Sequence, residues 1–206
     1  MKVLLINGSP RAKGNTSIAL NEMIKVFEAE GVETKLVHIG NKVIRGCTAC
    51  QNCFKLGRCV FDDIVNEISP LFMEAEGFVI GAPVYYGSPN GAALAFLDRL
   101  FYSTFNQDKT GKVGASVVIC RRGGASASFD VFNKYFLMTN MVVAGSQYWN
   151  MVYGMNPGEA TQDAEGLQTM RTLARNMTFL MKSIALGKEK FGLPEKEPWI
   201  PTHFIR

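Results

Sequence analysis

Short apolar runs alternate along the chain with longer stretches that carry a single apolar stripe. Val3 to Asn7 is apolar and strand-length; Leu20, Met23, Ile24 and Phe27 then recur at helical spacing, and Glu33 to Ile39 is again short and rich in β-branching. A second helical stretch carries Ile64, Ile68, Leu71 and Phe72 behind a capping Asp62 or Asp63 and leads into the run Gly77 to Ala82. Helices over Ala92 to Phe105 and Ser126 to Thr139 precede strands over Val113 to Cys120 and Met141 to Ser146. A last helix covers about Ala160 to Leu186, where Leu167, Met170, Leu173, Met177, Leu180, Met181 and Ile184 form a stripe suited to a core or a subunit interface. Strands alternating with helices imply an α/β fold with a parallel sheet covered on both faces, because parallel neighbours need crossovers and these are right-handed. No linker or repeat interrupts the pattern. One domain is therefore expected over residues 1–190, with an irregular cysteine-containing insertion at 41–60 and a tail over 191–206.

Composition narrows the function classes. Hydrophobic residues make up 47% and charged residues 19%, so the chain can bury a core and is not a disordered segment. The net charge of +4 suits an anionic ligand, but no basic stripe of the nucleic-acid-binding kind is present. The start MKVLLINGSPR turns to Gly, Pro and Arg too soon for a signal peptide, and no run reaches the roughly 18 apolar residues of a membrane span. A cytoplasmic protein without nucleic-acid or membrane partners is expected. His38 and His203 are the only histidines, which leaves little for a Ser-His-Asp or His-metal hydrolase.

The first strand ends in Asn7-Gly8-Ser9-Pro10-Arg11-Ala12-Lys13-Gly14-Asn15-Thr16-Ser17, where a helix begins. Glycines permit sharp turns, Ser9, Thr16, Ser17 and Asn15 offer hydrogen bonds, Arg11 supplies a fork of donors, and the helix N-terminus adds free N–H groups. Such a loop suits a phosphate, although an ordinary polar turn capped by Thr16 or Ser17 uses the same residue types. It is neither the G-x-G-x-x-G dinucleotide fingerprint nor a Walker loop, since Asn15-Thr16 follows Gly14. A monophosphate fits better than a triphosphate with Mg²⁺.

This segment resembles the G-S-P-R-x-x-G-N-T signature of the NADPH-dependent FMN reductase family, a flavodoxin-like group. The match extends to Ala82-Pro83-Val84-Tyr85-Tyr86-Gly87-Ser88-Pro89 and to Phe96-Leu97-Asp98-Arg99. The resemblance implies a flavodoxin-like three-layer sandwich whose five-stranded sheet has the order 2-1-3-4-5. It also implies FMN at the switch between strands one and three, its phosphate on Ser9, Arg11, Gly14, Asn15, Thr16 and Ser17. Pro83, Val84, Tyr85, Tyr86 and Gly87 would then meet the ring, Tyr85 or Tyr86 lying against its face unless the tyrosines pack under the following helix. Arg122, Gly123 and Gly124, with Arg121 beside them, would face the ring oxygens that gather charge on reduction, unless the arginines are solvated loop charges. Asp98 and Arg99, inside a helix, read as a structural ion pair or cap.

Cys47, Cys50, Cys53 and Cys59 stand as C-x2-C-x2-C-x5-C, too tightly spaced to pair easily among themselves but able to converge on one metal centre. The spacing matches the compact motif of the iron-sulfur flavoproteins, which implies a 4Fe-4S cluster beside FMN, with Arg45, Lys55 and Arg58 offsetting its charge. Structural zinc and free or redox-active thiols remain open alternatives. Cys120 lies in an apolar strand and reads as core.

The function implied is FMN-dependent oxidoreduction, with NAD(P)H as transient donor and a quinone, flavin, nitro or azo compound or protein as acceptor. The alternative is an iron-sulfur electron carrier working with ferredoxin. The tail carries Phe191, Leu193, Trp199, Ile200, Phe204 and Ile205 around Pro194, Pro198 and Pro201. Apolar but unable to form a helix, it is expected to pack on another subunit of a homodimer or homotetramer, or along its own.

Overall fold

A computed structural model of the chain describes residues 1–205; Arg206, the end of the tail considered above, lies outside them. Strand β1 (Lys2–Asn7) leads through the polar loop to helix α1 (Asn15–Ala29) and strand β2 (Glu33–His38). A one-turn helix α2 (Cys53–Leu56) interrupts the cysteine segment, and α3 (Ile64–Glu74) precedes β3 (Gly77–Tyr85). Then come the short β4 (Ser88–Pro89), α4 (Gly91–Ser103), β5 (Val113–Cys120) and α5 (Ala125–Met138). The chain closes with β6 (Val142–Val143), β7 (Met151–Tyr153), a 3-10 turn at Glu159–Gln162, and α6 (Ala164–Phe191).

The sheet runs β2-β1-β3-β5-β6, with β7 also on β5, and all of these pairs are parallel. Strand alternation sends side chains to two cores. Val3 and Leu5 of β1 and Val113, Ala115, Val117 and Ile119 of β5 pack with α1 and α6; Leu4, Ile6, Phe78 and Ile80 pack with α3, α4 and α5. Met170, Leu173, Met177 and Met181 of the α6 stripe are wholly buried in the first of these cores. Sequence and structure therefore agree on layers and strand order.

The fifth position of the sheet differs from the single strand expected over Met141 to Ser146. Val142 and Val143 pair with the start of β5, whereas Met151 to Tyr153 pair with its end. Between them the Ser146 hydroxyl lies 2.6 Å from Tyr148 O and 2.7 Å from Asn150 Oδ1, its one hydrogen serving either acceptor, and folds the intervening residues into a turn off the sheet. Local side-chain bonding of this kind competes with the ladder. The last helix also starts later than expected, because Asp163 caps it by accepting from Gly166 N at 2.9 Å. At the other end Gly192, at φ 76°, stops it, and residues 193–205 follow without regular secondary structure and mostly exposed.

Candidate functional site

The loop after β1 lies at the carboxyl edge of the sheet, where β1 and β3 carry the chain to opposite sides. It is held from beneath by backbone contacts. Gly8 N donates to Gly81 O at 2.8 Å, Asn90 Nδ2 donates to Gly8 O at 2.9 Å, and the His38 ring meets Ser9 O at 2.7 Å. Gly40 presses so closely that a Cβ there would lie 2.0 Å from Ser9 O. Within the loop Ser9 N donates to Asn7 Oδ1 and Arg11 N to Ser9 Oγ, so the turn is fixed by its own side chains. The loop delivers the chain to the N-terminus of α1, whose first N–H groups have no partner inside the helix.

A cleft of about 180 Å³ opens above this loop. Ser9, Arg11, Gly14, Asn15 and Thr16 form one wall, Pro83, Val84 and Tyr85 a second, and Ile119, Cys120, Arg121, Gly154 and Met155 the rest. Three of the loops singled out from sequence thus meet, as β1, β3 and β5 are neighbours that end at the same edge.

Some side chains sit differently from the sequence expectation. The Asn15 amide faces away from the cleft wall: Nδ2 donates to Asn156 O at 3.0 Å, and Oδ1 accepts from Gly158 N at 3.0 Å and Ala160 N at 3.2 Å. It staples the loop after β7, leaving the Asn15 backbone N–H as its contribution to an anion site. The Ser17 hydroxyl donates to Gly14 O at 2.8 Å. Tyr86 and Gly87, at φ 50° and 80°, form the tip of a tight β3–β4 hairpin of the I′ kind, so Tyr86 is fully exposed while Tyr85 lines the cleft. Arg121 lines the cleft; Arg122 and Gly123 are exposed beside it. A Cβ on Gly124 would lie 2.7 Å from Gly87 Cα, so these two glycines are where the β3 and β5 loops touch. Cys120 belongs both to the core and to the cleft floor, where burial pushes its thiol pKa up. Gly154 and Met155 had no sequence signal, because the chain returns to the cleft only through the split fifth strand.

The donor set fits the phosphate of FMN. Arg11 supplies charge, Ser9 and Thr16 hydroxyls, and the positive end of α1 unpartnered N–H groups. Arg11→Ala is expected to weaken FMN by roughly tenfold to a hundredfold, the scale of one or two charge-assisted bonds worth about 1.5–3 kcal/mol. Fluorescence titration of the stripped protein checks this, and unchanged affinity would remove Arg11 from the site.

The second feature is a recess of about 20 Å³ lined by Cys47, Cys50, Cys53 and Cys59 together with Arg99 and Tyr102. All four sulfur-bearing residues thus share one hollow, with Cys47 and Cys50 exposed and Cys53 buried. Among the described residues no three Cys, His, Asp or Glu side chains close on a single-ion site. The loop turns inward through Ala49 and Gln51, both non-glycine residues at positive φ (52° and 59°). Gln51 followed by right-handed Asn52 forms the concave backbone nest common at phosphate and iron-sulfur sites. Hydrogen bonding from the Asn52 backbone lowers the Cys50 pKa, whereas burial raises that of Cys53. The donor set and its nest fit an iron-sulfur cluster held by Cys47, Cys50, Cys53 and Cys59.

The charge nearest these sulfurs is one that sequence reading assigned to structure. Arg99 is the largest fully buried side chain, and its Nε and Nη2 each lie 3.3 Å from Cys59 Sγ. Arg58 instead pairs with Asp62, and Arg45 stacks over Phe61. Asp98 accepts from the Tyr135 hydroxyl rather than pairing with its neighbour.

The chain is similar to proteins of known class. An iron-sulfur flavoprotein of Methanocaldococcus jannaschii is 31% identical over 191 residues, which cover 89% of this chain and 99% of that one. Two solved structures share its fold: a flavodoxin of Streptococcus pneumonia, TM-score 0.59 at 13% identity over 87% of this chain and 99% of that one, and the NAD(P)H:quinone oxidoreductase of Methanothermobacter marburgensis, TM-score 0.67 at 14% identity over 86% and 96%. The model of the NADPH-dependent FMN reductase family matches residues 1–156. With its polar loop at the β1–β3 switch point, its flavodoxin-like layers and its four-cysteine segment, the chain belongs to the NADPH-dependent FMN reductase family, in the iron-sulfur flavoprotein branch.

Proposed function

We propose that this member of an FMN-binding oxidoreductase family takes electrons from NAD(P)H and passes them to a quinone, flavin, nitro or azo compound, or a protein. The observation that carries this reading is that a cleft lined by Ser9, Arg11 and Thr16 and a recess lined by four cysteines are both built into one chain. FMN, when bound, supplies the hydride-accepting and electron-donating chemistry, and the residues of the chain do the rest. Ser9, Arg11 and Thr16 hold the phosphate, with the backbone N–H groups of Asn15 and Ser17 beside them. Pro83, Val84, Tyr85 and Gly87 border the ring, and Arg121 brings positive charge to the cleft where reduction deposits negative charge, with Arg122, Gly123 and Gly124 extending that loop. Cys47, Cys50, Cys53 and Cys59 hold a 4Fe-4S cluster. No further nucleotide fingerprint occurs in the sequence, so NAD(P)H docks transiently at the open cleft.

A second reading, an electron carrier serving ferredoxin, is favoured by the exposure of Cys47 and Cys50, which brings the recess to the protein surface. Anaerobic stopped-flow separates the two. Rapid bleaching of flavin absorbance by NADH or NADPH is the expected result; reduction by ferredoxin alone would replace the first reading with the second.

A cytoplasmic location and a homodimer or homotetramer complete the proposal. No helix is long and apolar enough to cross a membrane among the described residues. The tail touches its own subunit at Trp199, whose ring lies 6.0 Å from that of Phe105, and through Lys196, which pairs with Asp108. Even so Ile200, Phe204 and Ile205 stay exposed, an apolar surface that a second copy would cover. Truncation after Pro194 is expected to lower the number of chains per particle measured by light scattering; the full-length oligomer size would remove the tail from the interface.

A further inference from the structure

The buried cation beneath the cysteine recess has no part in holding FMN, yet it is almost wholly buried and hydrogen-bonded along its guanidinium. Arg99 reaches from α4 to the loop before α3 and is only 1% exposed. Asp63 grips its guanidinium bidentately, accepting from Nη1 at 2.6 Å and from Nη2 at 2.9 Å, and Phe61 O accepts from Nη2 at 3.2 Å. The Phe61 ring lies 5.2 Å away. Nε donates to Cys59 Sγ at 3.3 Å, and Nη2, which shares its two hydrogens among Asp63, Phe61 O and the sulfur, lies at the same distance from it. Cys59 is itself pinned through its backbone, since Asn66 accepts from its N–H and donates to its carbonyl, both at 3.0 Å. Such a buried guanidinium is costly unless its fork is used, and here one edge of it serves a sulfur.

We propose that Arg99 is a positioning residue for the cysteine centre: its two N–H groups orient Cys59 Sγ as a ligand and raise the reduction potential of the cluster. This rests on the four cysteines holding a cluster, the reading given above. Cluster potentials follow net charge and hydrogen bonds to the sulfurs, and groups behind the ligands orient them. Donated N–H bonds and a nearby positive charge both favour the more negative, reduced state. Asp63 has a double effect: it holds the fork in place and cancels part of its charge.

Wild-type protein, R99K and D63N, each reconstituted anaerobically with iron and sulfide, separate these roles. Iron per chain and an EPR-monitored redox titration are the readouts, with FMN content and far-UV circular dichroism reporting the fold. R99K keeps a charge but loses the two-pronged donor, so its potential is expected to fall by a tenfold shift in the reduction equilibrium, about 59 mV for one electron. D63N keeps a side chain able to cap α3 while removing the compensating charge, so its potential is expected to rise. Opposite shifts are the signature of tuning; loosening of the fold would lower iron in both without that order. R99K at the wild-type potential overturns the role of Arg99 and leaves the cluster reading intact. If R99K keeps too little iron to titrate, D63N decides, an unchanged or lower potential overturning the proposal. Wild-type protein that takes up no iron overturns both readings together.

Discussion

Gly40→Ala is expected to lower FMN affinity by a hundredfold or more while leaving the sheet assembled. The added methyl would sit 2.0 Å from Ser9 O and 2.7 Å from Gly8 O, both backbone atoms of the phosphate loop. Neither can swing aside as a side-chain tip would, because Gly8 is bonded to β3 and to Asn90. The loop must move as a unit, and it carries Ser9 and Arg11 with it. Overpacking of this kind costs about 1–3 kcal/mol of stability, or roughly 2–4 °C in melting temperature per kcal/mol for a chain of this size. The affinity loss should exceed the stability loss, since the clash lies at the anchor itself. FMN titration beside thermal denaturation checks this, and wild-type affinity would show that the loop does not hold the phosphate.

Cys50→Ser is expected to abolish the broad iron-sulfur absorbance and to reduce iron per chain severalfold, with FMN still bound. Cys50 sits between Ala49 and Gln51, whose left-handed backbones each cost about 1–3 kcal/mol unless the surroundings enforce them. Cys50 lines the shared recess. A serine hydroxyl there is a poor partner for iron beside three thiolates. Retention of FMN follows from the separation of the two sites, since no residue lining the cleft also lines the recess. Visible spectra and iron analysis of anaerobically prepared protein give the answer. Wild-type protein free of iron even after reconstitution would leave the cysteines as thiols.

Much of this was legible along the chain because it rests on local chemistry. β5 is apolar at nearly every position and is buried at all of them, so its central place follows from composition. Asp63 announces α3 as a cap, and its carboxylate accepts from Val65 N at 3.1 Å. The polar loop after β1 and the cysteine spacing are contiguous motifs, visible in the sequence without any distant partner.

What the sequence left open lies in pairings across long separations. Whether Asn15 points at a ligand or at residues 156–160 depends on a contact 141 positions away, and periodicity says nothing about it. The fifth strand divides because Ser146 and Asn150 bond to each other in a turn whose alternative, a continuous ladder, reads equally well from the β-branched run. Arg99 is the sharpest case. Within its helix it looks like a partner for a nearby acid, and only packing of α4 against the loop before α3 places its donors on Cys59, 40 residues earlier. By itself the sequence determined the layers and the two sets of candidate ligand-type residues, since hydrophobic period and loop chemistry are properties of neighbours in the chain; the strand order came from the family resemblance of its motifs. Tertiary structure alone decided which buried charge meets which sulfur and which polar side chain faces a cleft, because those choices are made by the packing of elements that the chain brings together from far apart.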